Sequence, residues 1–177
     1  GLGFVPEERS GHAAVPAMTL AENNLLTGHS LGGAVQLGVI NEPMMVATAA
    51  TVAETFDVRL PNENPLASSL SGGNLQKFVV GREIGRTPRV LIVSQPTWGV
   101  DIGAAMFIRS AMLDLAAQGS AVVMISQDLE EIFMTAHQVA VLFDGTLSEA
   151  MPVAALTAEK VGLLMGGSAS GAQQAHD

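Results

Sequence analysis

The spacing of apolar residues changes character along this chain, and the change divides it. Before residue 70 the pattern is loose. A short apolar segment (Leu2, Phe4, Val5) leads into a charged turn, Glu7 to Arg9, and Thr19 followed by Glu22 forms the signature of a helix start. Residues 28–69 are rich in Ala, Met and Thr. They contain one predicted helix, Met44 to Phe56, with five β-branched residues, and a loop at Pro61–Pro65; Pro43, Pro61 and Pro65 read as breakers. From residue 70 the pattern is regular. Leu75, Phe78, Val79 and Ile84 predict a helix over Asn74–Arg86, stopped by Pro88. Val90–Val93 and Ala121–Ile125 are continuous apolar runs of strand length. Between them Ile102–Gln118 predicts an amphipathic helix closed by Gly119. Asp128–Ala136 predicts a short helix and Val139–Phe143 a third strand, followed by an Asp144-Gly145 turn. Strands and helices in alternation predict an α/β fold with a mainly parallel sheet, helices on both faces. The Gly-, Ser-, Ala- and Gln-rich end, 166–177, is expected to be disordered.

Composition narrows the function classes. Of 177 residues, 48% are apolar and 14% charged, which supports a folded core. Seventeen acids against eight bases give a net charge of -9, so no basic stripe is available for nucleic acid. There are no cysteines, which excludes disulfides and thiol chemistry. A mean hydropathy of +0.36 raises the question of a membrane span. The longest uncharged stretch, Asn23–Asn41, is interrupted by four glycines and several polar residues, unlike the roughly 20 apolar residues that a spanning helix needs. The four histidines are scattered without ligand spacing, and no metal site is expected.

The segment that carries chemistry is Leu70-Ser71-Gly72-Gly73-Asn74-Leu75-Gln76-Lys77. A serine and two glycines opening a helix expose backbone N–H groups at the positive end of the helix dipole, a geometry that binds phosphate. An ordinary glycine-rich loop with a capping serine explains the octapeptide alone equally well. The next strand runs into Ser94-Gln95-Pro96-Thr97-Trp98-Gly99-Val100-Asp101, and the one after ends in Ser126-Gln127-Asp128. In this order the motifs resemble the ATP-binding subunit of an ABC transporter. Leu70–Lys77, Gly81-Arg82-Glu83, Gln95-Pro96-Thr97 and Phe4–Arg9 resemble the importers of simple sugars and nucleosides, whose ATPase subunit carries two nucleotide-binding domains. The resemblance covers residues 1 to about 150 and is to the second domain.

The resemblance implies a partial P-loop NTPase domain over 1–165, with a helical subdomain at about 28–70 and the signature helix and core strands at about 71–150. It assigns Ser71, Gly72, Gly73, Asn74 and Gln76 to the signature motif, with Asn74 in place of the commoner Gln. In the family this loop closes over the γ-phosphate of ATP held by the other nucleotide-binding domain. Asp101 matches the aspartate that reaches across the same interface. Glu7 falls where a glutamine normally meets the membrane subunit. ATP and Mg²⁺ are the implied cofactors. The implied partners are the second nucleotide-binding domain, transmembrane permease subunits and, indirectly, a substrate-binding protein. The implied location is the cytoplasmic face of the membrane, held peripherally.

Departures from the family pattern fall at the hydrolytic positions. Ser94 stands at the usual Walker B aspartate, which helps hold Mg²⁺, and Gln95 at the glutamate that polarises water. Gln127 stands at the switch histidine. Trp98 replaces a common Arg, and His137-Gln138 a common Asp-Arg pair. No G-x-x-x-x-G-K-[ST] phosphate loop occurs. The sequence starts at Gly1, so a C-terminal fragment of a longer subunit is expected, inactive by itself. Two other readings stay open at this point: an ABC-type ATPase unconnected with transport, and a non-catalytic α/β interaction domain.

Overall fold

The structure, a computed structural model, describes residues 1–28 and 34–167. Gly32, Gly33 and most of the expected disordered tail, from residue 168 onward, lie outside the described residues. The chain divides into two compact units, Gly1–Ile125 and Ser126–Asp177.

The first unit is built on a three-stranded parallel sheet. β1 (Leu2–Val5) pairs with β4 (Val90–Ser94), and β4 with β5 (Ala121–Ile125), so β4 is central. The alternation along each strand gives the sheet two unlike faces. Gly3, Val5, Leu91, Val93, Val122 and Met124 share one face and enter the core with Phe78, Val79, Ile108 and Met112. Full burial of side chains such as Phe78, Leu91 and Ile108 contributes about 1.5–3 kcal/mol each. The opposite face is bare: Leu2, Phe4, Val123 and Ile125 are 67, 54, 49 and 54% exposed. The expectation of a sheet covered on both faces therefore holds for only one of them.

Four helices complete this unit. Thr19 and Glu22 form the expected capping box of α1 (Leu20–Gly28), the Thr19 N–H donating to Glu22 Oε2 at 2.7 Å and the Glu22 N–H to Thr19 Oγ1 at 3.2 Å. A two-strand hairpin, β2 (Val35–Gln36) with β3 (Val39–Ile40), precedes α2 (Glu42–Thr55). Pro43, expected as a breaker, sits in the first turn of α2. That position lacks an intrahelical N–H partner in any helix, so proline is tolerated, and Asn41 caps the turn. α3 (Gly72–Ile84) and α4 (Ile102–Ala117) follow the predicted spans closely. Among the described residues no helix is long and apolar enough to cross a membrane.

The second unit contains α5 (Leu129–Thr135), capped by Asp128, and a small core of Val139, Val141, Leu156 and Val161. The third strand expected at Val139–Phe143 is not a member of the parallel sheet. It is two short strands, β6 (Gln138–Val139) and β7 (Leu142–Phe143), each antiparallel to a different partner: β9 (Met151–Pro152) and β8 (Thr146–Leu147). The Asp144-Gly145 turn explains the second pairing. Both residues have positive φ, 44° and 73°, which closes a two-residue hairpin and forces β7 back on itself. α6 (Ala158–Met165) closes the described chain.

Candidate functional site

The glycine loop is positioned from both sides of α3. At its start Ser71 is the N-cap, with extended backbone, and its Oγ accepts from the Asn74 N–H at 3.4 Å and from Asn74 Nδ2 at 3.1 Å. Asn74 Oδ1 in turn accepts the Arg59 N–H at 3.0 Å. Ser71 and Gly72 are exposed at a helix N-terminus, where first-turn N–H groups have no intrahelical acceptor.

Two side-chain ends pack close against the glycines. A Cβ on Gly72 would lie 2.9 Å from Arg9 Nη1, and one on Gly73 would lie 2.9 Å from Asp101 Oδ2. Arg9 and Asp101 thus flank the loop. Asp101 caps α4, Oδ1 accepting the Ala104 N–H at 2.9 Å, and this backbone bond holds its carboxyl below the usual aspartate range. Arg9 donates to the carbonyls of Trp98 and Gly99. Gln76 is fully buried, its Nε2 donating to Pro96 O at 2.9 Å. Three segments therefore converge: the turn after β1, the glycine loop and the Gln95–Asp101 turn. Glu7 is exposed, and it is Arg9, two residues further on, that reaches the loop. The role of Arg9 has no local signal in the sequence, because its two carbonyl acceptors are about ninety residues away.

The far end of α3 is held by buried charge. Arg82 and Glu83 are 3% and 4% exposed. Arg82 Nε donates to Glu83 Oε1 at 2.9 Å, Nη1 to Asn23 O at 3.1 Å and Nη2 to Ala13 O at 3.0 Å. Arg86 reaches Glu83 Oε2 at 3.2 Å and Thr27 O at 2.6 Å. Burial pulls the Arg82 guanidinium below its ordinary value, and Glu83 partly offsets that. Towards the end of α3, a Cβ on Gly81 would lie 2.4 Å from the ring of Phe56, the C-cap of α2, so that ring packs directly on the α3 backbone. Lys77 pairs with Asp57 at 2.7 Å, which lowers the Asp57 carboxyl, and lies 5.2 Å above the Phe107 ring.

The end of β4 is a different environment. Ser94 is half-buried and Gln95 buried, and Gln95 has φ 48°, a left-handed conformation that costs a side-chain-bearing residue about 1–2 kcal/mol. Its N–H donates to Ile125 O at 2.8 Å. Neither side chain is a carboxylate, so the pair does not fit a Mg²⁺ site or a general base. Gln127 is exposed in the second unit, before α5. No group of three or more His, Asp or Glu side chains suited to a metal occurs among the described residues. A cleft lined by Thr87, Pro88 and Gly119 and another lined by Phe56, Ile84 and Phe107 both lie away from Ser71, Gly72, Gly73 and Asp101.

No protein-family model matches the chain. Individual relatives do. The guanosine import ATP-binding protein NupO of Bacillus subtilis is 38% identical over 168 residues, 95% of this chain and 33% of that protein. The chain is a homologue of sugar- and nucleoside-import ATP-binding proteins. The nucleoside import ATP-binding protein NupA of Lactococcus lactis is 39% identical over 94% of the chain and 33% of its own length. A ribose import ATP-binding protein, RbsA, from the same species is 34% identical over 91% and 32%. This chain thus spans about a third of the length of the relatives it matches. Its fold is that of ABC ATPase cassettes. The dimeric MJ0796 cassette in a post-hydrolysis state bound to ADP and Pi superposes with a TM-score of 0.70 at 20% identity, over 86% of this chain and 62% of that one. An inward-facing ABC transporter of metal-chelate type gives 0.73 at 17% identity, over 94% and 63%.

Proposed function

We propose that this chain is part of the ATPase subunit of an importer for a simple sugar or nucleoside, and that it completes an ATP site whose phosphates are held by a second cassette. The observation that carries this reading is the glycine loop at the N-terminus of a 13-residue helix, flanked by the side-chain ends of Arg9 and Asp101 at Gly72 and Gly73. Its amides and the Ser71 hydroxyl remain at the surface, available to the terminal phosphate of a nucleotide presented from outside. Asp101 stands beside them to meet the opposing cassette. Gln76 ties the helix to the Pro96 turn, so the loop and Asp101 approach that cassette together.

The chain's own strand end has the opposite character. Ser94 and Gln95 offer no carboxylate to Mg²⁺ or to an attacking water, so a nucleotide bound at this edge is retained and scarcely hydrolysed. At the trans site the carboxylates that would hold Mg²⁺ and polarise water belong to the other cassette. The 177 residues contain no phosphate loop with lysine, and the chain alone gives no ATPase activity above background. The segment from about 28 to 70, including Glu42–Thr55, faces permease subunits at the cytoplasmic side of the membrane, and a substrate-binding protein delivers the cargo to them.

The absence of cysteine gives a direct test. With Ser71→Cys here and one cysteine in the lysine loop of the opposing cassette, oxidation of the assembled importer forms a disulfide when ATP closes the pair. Efficient transport with no such cross-link in any nucleotide state would refute the trans arrangement.

A further inference from the structure

Arg9 connects elements that the chain order keeps far apart. Its backbone is fixed: Arg9 O accepts the Ala14 N–H at 2.8 Å, and Glu8 O accepts the Ala13 N–H at 3.1 Å. Ala13 O is itself held by Arg82 at the far end of α3. The side chain leaves this anchored loop and donates to Trp98 O and, at 3.5 Å, to Gly99 O. Gly99 has φ 62° and a Cβ there would lie 3.1 Å from Arg9 Nη2, just as one on Gly72 would lie 2.9 Å from Nη1. The guanidinium is therefore a flat spacer between the glycine loop and the turn leading to Asp101. Two carbonyls orient it, and a glycine on each side admits it. A planar fork suits this task where a lysine, a single flexible point charge, does not.

We propose that Arg9 is a positioning residue: it straps the Trp98–Gly99 turn against Gly72 and so fixes the spacing between the Ser71–Gly73 amides and Asp101 at the edge offered to the other cassette. The role rests on the trans reading above. Arg9 bears on the closed state rather than on nucleotide affinity, because in that reading the other cassette grips ATP. Small misplacement of phosphate donors lowers the rate of the chemical step far more than it weakens binding.

The test uses the assembled importer. Arg9→Met keeps the stem and removes the donors. The expected result is a fall in ATPase kcat of about tenfold with KM for ATP within about twofold. In the 177-residue chain, amide exchange at 98–100 should quicken at least about fivefold while β5 is unaltered. Should Arg9→Met fail to fold, Arg9→Lys, with one retained donor group, is measured instead, with a fall of about threefold expected. An unchanged kcat, a rise in KM alone, or unaltered exchange at 98–100 overturns the proposal. Ser71→Arg separates the two claims. If it abolishes turnover while Arg9→Met is silent, only the strap is lost. If both are silent, the trans reading falls, and the strap with it.

Discussion

α3 and β4 both lead to the functional edge, and they are held there by different means. α3 is tied down along its whole length: Ser71 and Asn74 at the start, Gln76 to Pro96 O next, Phe56 against Gly81, then the Arg82–Glu83–Arg86 cluster. β4 packs tightly on one face only. It ends in a neutral pair, Ser94 and Gln95, with Gln95 in a strained left-handed conformation. In the proposed reading the two regions have different tasks. Phosphate contact needs amides and space, which a glycine loop provides. Hydrolysis needs carboxylate side chains, and Ser94 and Gln95 supply none.

Four substitutions sharpen or break this contrast. The largest effect is expected at the loop. Ser71→Arg fills the space for phosphate, and ATP turnover by the assembled importer should fall more than about a hundredfold. Next is the anchor of α3. Glu83→Ala leaves Arg82 buried and uncompensated, and urea unfolding should show a loss of about 3–5 kcal/mol. Gly81→Ala forces α2 away from α3 at Phe56 and should cost about 1–3 kcal/mol by the same measurement. The smallest effect is expected at the end of β4. Gln95→Ala removes no carboxylate, so steady-state turnover should stay within about twofold of the parent. Equal damage from Ser71→Arg and Gln95→Ala would erase the distinction between the two regions.

Much of the first unit was legible because local signals were strong. The capping box at Thr19–Glu22, the apolar runs of β4 and β5, and the helical spacing of α3 and α4 are each decided by short-range physics. β1 was not recognised as a sheet strand. It has four residues ahead of Pro6, and what defines it is pairing with β4, nearly ninety positions away. Val139–Phe143 misled for the opposite reason: an apolar run of strand length, divided by pairing to two different strands. At the candidate site the glycines and Asp101 were visible as a motif. The close approach at those glycines was invisible, because it depends on Arg9 and on a carboxylate nearly thirty residues downstream.

The bare side of the sheet has a practical consequence. Taken by themselves, the 177 residues present an oily plane made of Leu2, Phe4, Val123 and Ile125. An environment-sensitive dye such as ANS, whose brightening is ordinarily taken as the mark of a loosened interior, should light up on the properly folded molecule. For these 177 residues such a signal at neutral pH does not report a loosened interior, and with no tyrosine and one exposed tryptophan, Trp98, preparations should be judged by amide-exchange protection of β4 and β5 instead.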